Sequence, residues 1–153
     1  MDGTLGKIGA GLIAGAAGVT ALNVMTYLDM AVRGRPPSSL PEDTAGELAR
    51  RTGVDLGEKA EARREGIGPL LGIAAGLGCG AVYGLFRAVV PRCPVPLAAA
   101  GVGLAALVTA DAPMAALGVT DVRTWGPRGW LADLIPHVGY GLATAITYEM
   151  LKS

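Results

Sequence analysis

The chain has 153 residues, of which 51% are hydrophobic, and 13 basic and 13 acidic residues give a formal net charge of zero. The charges are gathered into short segments separated by long uncharged stretches, whereas a soluble domain spreads charge over its whole surface. No basic block or tail offers the clustered lysine and arginine that bind a phosphate backbone, so no nucleic-acid partner is expected.

Four apolar stretches predict membrane-spanning helices at about 8–32, 67–90, 95–118 and 130–151. About 20 helical residues cross the hydrocarbon core of a bilayer, so each stretch is long enough for a span. The sequence therefore predicts an all-α fold, a four-transmembrane-helix bundle that forms a single integral membrane domain over residues 1–153. The fourth stretch is the most polar of the four.

Between the first two stretches lies a polar segment, 33–66, with seven basic and seven acidic residues. It predicts a short amphipathic cytoplasmic helical hairpin. Ser39 and Glu42 have the spacing of a capping box, in which the serine hydroxyl accepts from the Glu42 amide. The first helix of the hairpin should end at Gly53, and a second charged helix, 58–65, should lead into the membrane. A solvated connector is one interpretation, and a surface for a protein partner is the other.

Glycines at regular spacing predict close helix packing, because in lipid small residues let helix backbones approach each other. The row on the second span comprises Gly72, Gly76, Gly80 and Gly84. A similar row on the first span comprises Gly11, Gly15 and Gly18. Packing within one bundle and contact with a second copy of the chain are both compatible with these rows.

Three of the predicted spans bring polar side chains to a similar depth. Asp111 and His137 each lie seven residues from the span end nearest the polar segment, about 10 Å at 1.5 Å per residue. Asn23 lies nine residues from that end, and Tyr140 shares the helix face of His137. We therefore predict a polar intramembrane cluster of Asn23, Asp111, His137 and Tyr140.

Polar stripes on two spans should turn into the bundle, because lipid would leave their donors and acceptors unpaired. The stripe on the fourth span comprises Asp133, His137, Tyr140, Thr144 and Tyr148, and the stripe on the first comprises Thr20, Asn23 and Tyr27. Hydrogen bonds that staple helices together are one interpretation of the cluster, and a proton-relay pocket is the other. At the opposite membrane face, Arg87 and Glu149 are expected to form an ion pair or to extend toward the interface.

The lysine and arginine residues are distributed unevenly across the predicted membrane. Nine fall on the side of the polar segment and three on the other side. The positive-inside rule therefore places the polar segment in the cytoplasm and both termini outside, in a multi-pass protein of the bacterial cytoplasmic (inner) membrane. Cys79 and Cys93 lie 14 residues apart, roughly 20 Å along a helix, which is too far for a disulfide.

Several short segments carry a family resemblance. PMAALGVT at 113–120, a tryptophan-containing loop, DLIPH at 133–137 and a helix closing on Tyr148 and Glu149 resemble the YagU-like family of small bacterial inner-membrane proteins. The first half, with TALN, YLDM and RGRP, is similar to actinobacterial four-helix membrane proteins. The resemblance implies a multi-span inner-membrane protein and marks out His137. The chain departs from the pattern at Pro136, where glycine is expected, and in lacking a longer external segment.

The sequence contains no glycine-rich phosphate loop, nucleophile elbow or paired metal-ligand motif. It predicts neither a cofactor nor a metal site, and no enzymatic activity is expected. The leading hypothesis is a structural or accessory component of the inner membrane, with the lipid bilayer, a second copy or another membrane protein as partners. The alternative is a small transporter or proton-linked channel that uses the polar cluster in the cytoplasmic half of the bundle.

Overall fold

The computed structural model describes residues 3–152, and every regular element in that range is helical. Five α-helices follow one another: α1 Thr4–Arg33, α2 Leu40–Thr52, α3 Ala60–Val89, α4 Val95–Ala116 and α5 Pro127–Lys152. Single 3-10 turns, Gly57–Lys59 and Val122–Thr124, precede α3 and α5. The predicted all-α fold is confirmed.

Three helical segments are long and apolar enough to cross a membrane: Thr4–Arg33, Gly57–Val89 and Val95–Ala116. The remaining long helix, α5, has 26 residues and is about 39 Å long at 1.5 Å per residue, but it contains several charged side chains. A membrane protein with three candidate spans is therefore supported, and a fourth span stays a prediction.

The four long helices form a bundle in which α1 packs along both α3 and α5, and α4 packs along α5 and less extensively on α3. Helices α1 and α4 therefore occupy opposite corners. The short helix α2 lies on α3. Helix α5 packs against both α1 and α4, so the side chains on its inner face have neighbours on two sides.

Helices α1 and α3 touch through their backbones. A Cβ atom added at Gly80 would lie 2.6 Å from the Cα of Gly15 and closer still to the carbonyl oxygen of Gly11. Added at Gly84, it would meet the carbonyl oxygen of Lys7. We call this contact the α1–α3 seam. The glycine row is therefore used for packing inside one chain along much of its length.

The two ends of the predicted glycine rows behave differently from the middle. At Gly72 an added Cβ would meet nothing within 4 Å, so this glycine faces the open surface of the bundle. At Gly76 the nearest atom belongs to the Val19 side chain, and at Gly18 it belongs to the Thr144 side chain of α5.

A second close contact, the α4–α5 seam, was not anticipated from the sequence. An added Cβ at Gly103 would lie 2.8 Å from the carbonyl oxygen of His137, and one at Gly141 would lie 3.0 Å from the Cα of Gly103. These two glycines bring α4 and α5 together next to the predicted polar cluster, Gly141 one turn from His137 and Gly103 two turns from Asp111.

The polar segment folds largely as predicted, with one local error and one difference. Helix α2 ends at Gly53, whose φ of 71° is the left-handed conformation that glycine adopts readily. The capping box is wrong: Ser39 has helical dihedral angles, and its hydroxyl donates to the Asp43 carboxylate at 3.0 Å instead of accepting from a backbone amide. The charged helix and the second span form one continuous helix, α3, because charged residues that favour helix lead directly into the apolar stretch.

Candidate functional site

The first residue of the candidate site is Asp111, which is buried on the last turns of α4. Its side chain is only 8% exposed. Gly103, two turns earlier on the same helix face, touches α5, so Asp111 faces α5 as well. Carboxylates are costly to place in a membrane interior and usually face the inside of a bundle.

The α5 side of the site is formed by Asp133 and His137, which are four residues apart and therefore neighbours on one helix face. The His137 Nδ1 lies 2.8 Å from the Asp133 backbone carbonyl and 3.4 Å from its Oδ1. When Nδ1 carries the proton, it donates to that carbonyl. The ring is thus held in a fixed orientation by its own helix.

Asp111 and Asp133 meet across the α4–α5 contact. Their carboxyl groups are near neighbours that act on each other, and His137, 3.4 Å from the Asp133 Oδ1, acts on both. In each carboxyl group the Oδ2 atom is fully buried and has no hydrogen-bond donor. Three titratable groups from two helices therefore form one cluster, which we call the acid pair with His137.

The other two predicted members of the polar cluster lie elsewhere. Tyr140 is fully buried, and its hydroxyl donates to the carbonyl oxygen of Gly76 at 2.6 Å, so it bridges α5 and α3. Asn23 is half-buried on α1, at the corner of the bundle opposite α4 and Asp111. The depth argument placed these residues at similar levels but could not place the helices around the bundle axis.

The polar stripe predicted on α1 does not turn inward as a whole. Tyr27 is 63% exposed, and Thr20 is exposed with its hydroxyl donating to the Ala16 carbonyl at 3.0 Å. The prediction was wrong because a threonine hydroxyl can be satisfied by the carbonyl four residues earlier in its own helix. The inward face of α1 is instead the glycine and alanine face.

At the opposite end of the bundle, Arg87 forms the ion pair that was one of two expectations. Its guanidinium is 2% exposed and lies 2.5 Å from the Glu149 carboxylate. It donates to the Tyr83 hydroxyl at 2.9 Å and to the Pro91 carbonyl at 3.1 Å. The charge also lies 5.4 Å from the centre of the Tyr148 ring, within cation–π range. A buried ion pair therefore lies at this end of the bundle.

Outside the bundle, α2 carries a network of exposed charges. Glu47 accepts from Arg50 and from Arg51, and the two arginines lower the pKa of the Glu47 carboxyl to about 2. Arg51 also donates to the carbonyl of Leu117 at 3.0 Å, which ties α2 to the end of α4. A groove of about 560 Å³ lies between these elements, bordered by Asp43 and other residues of α2.

The cysteines are both free and contact different parts of the bundle. Cys79 lies at the α3–α4 contact, with its Sγ 3.5 Å from the Thr109 hydroxyl, and Cys93 lies in the turn between α3 and α4. Resemblance to the YagU-like family remains a prediction, because no protein-family model, curated protein or solved structure shows a significant match to this chain.

Proposed function

We propose that this chain is a four-span integral membrane protein with a non-enzymatic, structural or accessory role in the bacterial inner membrane. The observation that carries the proposal is the distribution of side chains on the bundle. Large apolar residues are exposed along all four long helices, whereas the interior contains small residues, tyrosines and a few polar side chains. An apolar outer surface of this extent suits a lipid environment.

Helix α5 supports a fourth span although its composition is polar. Its exposed positions are apolar over about four turns: Leu131, Leu134, Ile135, Val138, Leu142 and Ile146. Between the exposed Arg128 and Lys152 at its ends, the polar side chains that lower its mean hydropathy are buried or half-buried in the bundle. The Lys152 amine lies 3.3 Å from the carbonyl of Pro91, in the turn that joins α3 to α4. The end of α5 is therefore level with the start of α4, and the two helices run along the same length of the bundle.

The packed interior favours a structural role over conduction. Tyr140, Thr144 and Tyr148 are the largest fully buried side chains, and they fill the space between α5, α1 and α3. A conduction path from one face to the other would have to pass these side chains. The acid pair with His137 therefore lies at the end of a closed bundle.

Cysteine labelling in intact cells tests the topology. Cys93 alone, in a Cys79→Ala background, should react with a membrane-impermeant maleimide, and so should Lys152→Cys in a cysteine-free chain. Glu58→Cys and Arg123→Cys, on the opposite side, should react only after permeabilisation. Labelling of position 152 from the side of position 123 would contradict a fourth span, and reversal of all four results would reverse the orientation.

A small proton-linked transporter is the second candidate, because the acid pair with His137 places titratable groups inside the bundle. Purified protein in liposomes should show no pH-dependent proton flux if the role is structural. Flux that is present in the wild type and lost in a folded Asp111→Asn variant would support the transporter instead.

A further inference from the structure

The chemistry of the acid pair suggests a ligand. Asp111 is more than nine-tenths buried, and its Oδ2 has no donor although it points into a site shared with Asp133. The Oδ2 of Asp133 is buried and without a donor as well. Two ionised carboxylates cannot donate to each other, so the arrangement as it stands leaves two buried acceptors unsatisfied and two like charges in proximity.

A single proton removes both problems. A proton on one carboxyl group turns it into a donor, and the other carboxylate accepts that hydrogen bond. Like charges that share a site are stabilised in this way because both do not ionise together.

We propose that Asp111 and Asp133 form a proton-binding site, in which one proton is held between the two carboxyl groups and keeps α4 closed against α5. His137 is the positioning residue, since its ring is fixed on the Asp133 carbonyl beside the pair. The site does not depend on transport, because a proton can be held there without being passed through the bundle.

The charged groups that act on this site, among the described residues, are its own members. Within the described residues, the charged groups that act on Asp111 are Asp133 and His137, and those that act on Asp133 are His137 and Asp111. On α1, Asp29 is paired with Arg33 at 3.2 Å and with Arg35 at 2.5 Å. The other charges at this end of the bundle lie in the polar segment 33–66, at Asp121 and Arg123 in the segment that joins α4 to α5, and at Arg128 on the first turn of α5.

The chain carries its own reporter for this end of the bundle. Its two tryptophans, Trp125 and Trp130, both lie between Asp111 and Asp133 in the sequence. Their ring centres are 5.3 Å apart. The Trp125 ring nitrogen donates to the Thr120 hydroxyl at 2.9 Å. Intrinsic fluorescence therefore reports on the α4–α5 connection without any label.

A pH titration of the full chain in phospholipid vesicles tests the proposal. We expect a reversible change in tryptophan emission as the pair loses its proton, because two ionised carboxylates repel and separate the ends of α4 and α5. Asp111→Asn and Asp133→Asn should each abolish the change and keep the low-pH emission, since an amide can donate the same hydrogen bond. Asp121→Asn, a nearby exposed acid, should leave the titration unchanged.

Infrared spectroscopy of wild-type protein labelled at the aspartate carboxyl carbon gives a second readout that does not rely on a variant folding. We expect the band of a protonated carboxylic acid to persist at a pH at which exposed aspartates have ionised. Absence of that band, or a titration retained in folded Asp111→Asn, would overturn the proposal. An emission change driven by sodium at constant pH would overturn the assignment of a proton as the ligand.

Discussion

At the residue scale, Arg87 shows how a charge is kept inside this bundle. Its guanidinium has a carboxylate, a hydroxyl and a carbonyl as partners and lies against two tyrosine rings. Desolvation of an ion pair is costly, so the hydrogen bonds of the two Nη atoms to Tyr83 and Pro91 matter as well as the contact with Glu149.

Replacing Arg87 with methionine should lower the free energy of unfolding by about 3–5 kcal/mol, because the Glu149 carboxylate then loses its strongest partner. The double variant Arg87→Met/Glu149→Gln should recover part of that loss, since no charge is left without its counter-ion. Thermal unfolding in a fixed detergent measures both. The exposed Arg92 provides the control, and Arg92→Met should change stability by less than about 0.5 kcal/mol.

Glu47 predicts a pH dependence outside the membrane. Its pKa is lowered from 4.5 to about 2 by the arginines it accepts from. A lowered carboxyl pKa stabilises the folded state above the unfolded value, so this contribution is complete above pH 4.5 and is lost as the pH falls toward 2. A pH titration followed by NMR of the Glu47 side-chain carboxyl carbon should give a pKa of about 2. The double variant Arg50→Gln/Arg51→Gln should return this pKa toward 4.5.

The candidate site was predictable in part at this scale. Helical depth placed Asp111 and His137 at one level, and the structure brings both to the α4–α5 contact. Asp133 was placed with His137 on the inward stripe of the fourth span, but it was left out of the predicted cluster because the cluster was chosen by depth. Its spacing of four residues from His137 was the available signal, since such residues share a helix face.

At the element scale, the α1–α3 seam offers a matched pair of glycines on one helix. Gly80→Ala should destabilise the protein by about 1–3 kcal/mol, because the new Cβ meets the backbone of α1 and neither helix can yield cheaply. Gly78→Ala meets nothing within 4 Å and should be neutral or stabilising by up to about 1 kcal/mol. Equal effects in a thermal unfolding assay would mean that the seam contributes no specific packing.

The helices themselves were predicted well, and their faces less well. Span length and hydropathy located each long helix to within a few residues, apart from the start of α3, where charged residues extend the helix beyond the membrane. The inward face of α1 was predicted wrongly at Tyr27, because small residues, and not polar ones, decide which face of α1 is buried.

At the scale of the whole molecule, the length of α3 exceeds what a bilayer needs. Its 30 residues extend about 45 Å, against a hydrocarbon core of about 30 Å. The charged first turns therefore extend beyond the length that a span requires and carry α2, whose backbone at Pro41 rests against Gly68. Together with the bond from Arg51 to Leu117, this makes α2 a firmly attached cap on one end of the bundle.

The two glycine seams have a further consequence for how the molecule is held together. At Gly11, Gly80, Gly84 and Gly141 the position of a missing Cβ points at a carbonyl oxygen of the facing helix, so in the native chain a glycine Cα–H bond points there instead. Such Cα–H···O contacts contribute about 0.5–1 kcal/mol each. Water competes for the same carbonyls, so exclusion of water by lipid strengthens the seams. The bundle should therefore unfold more readily in short-chain detergents that admit water than in lipid bilayers.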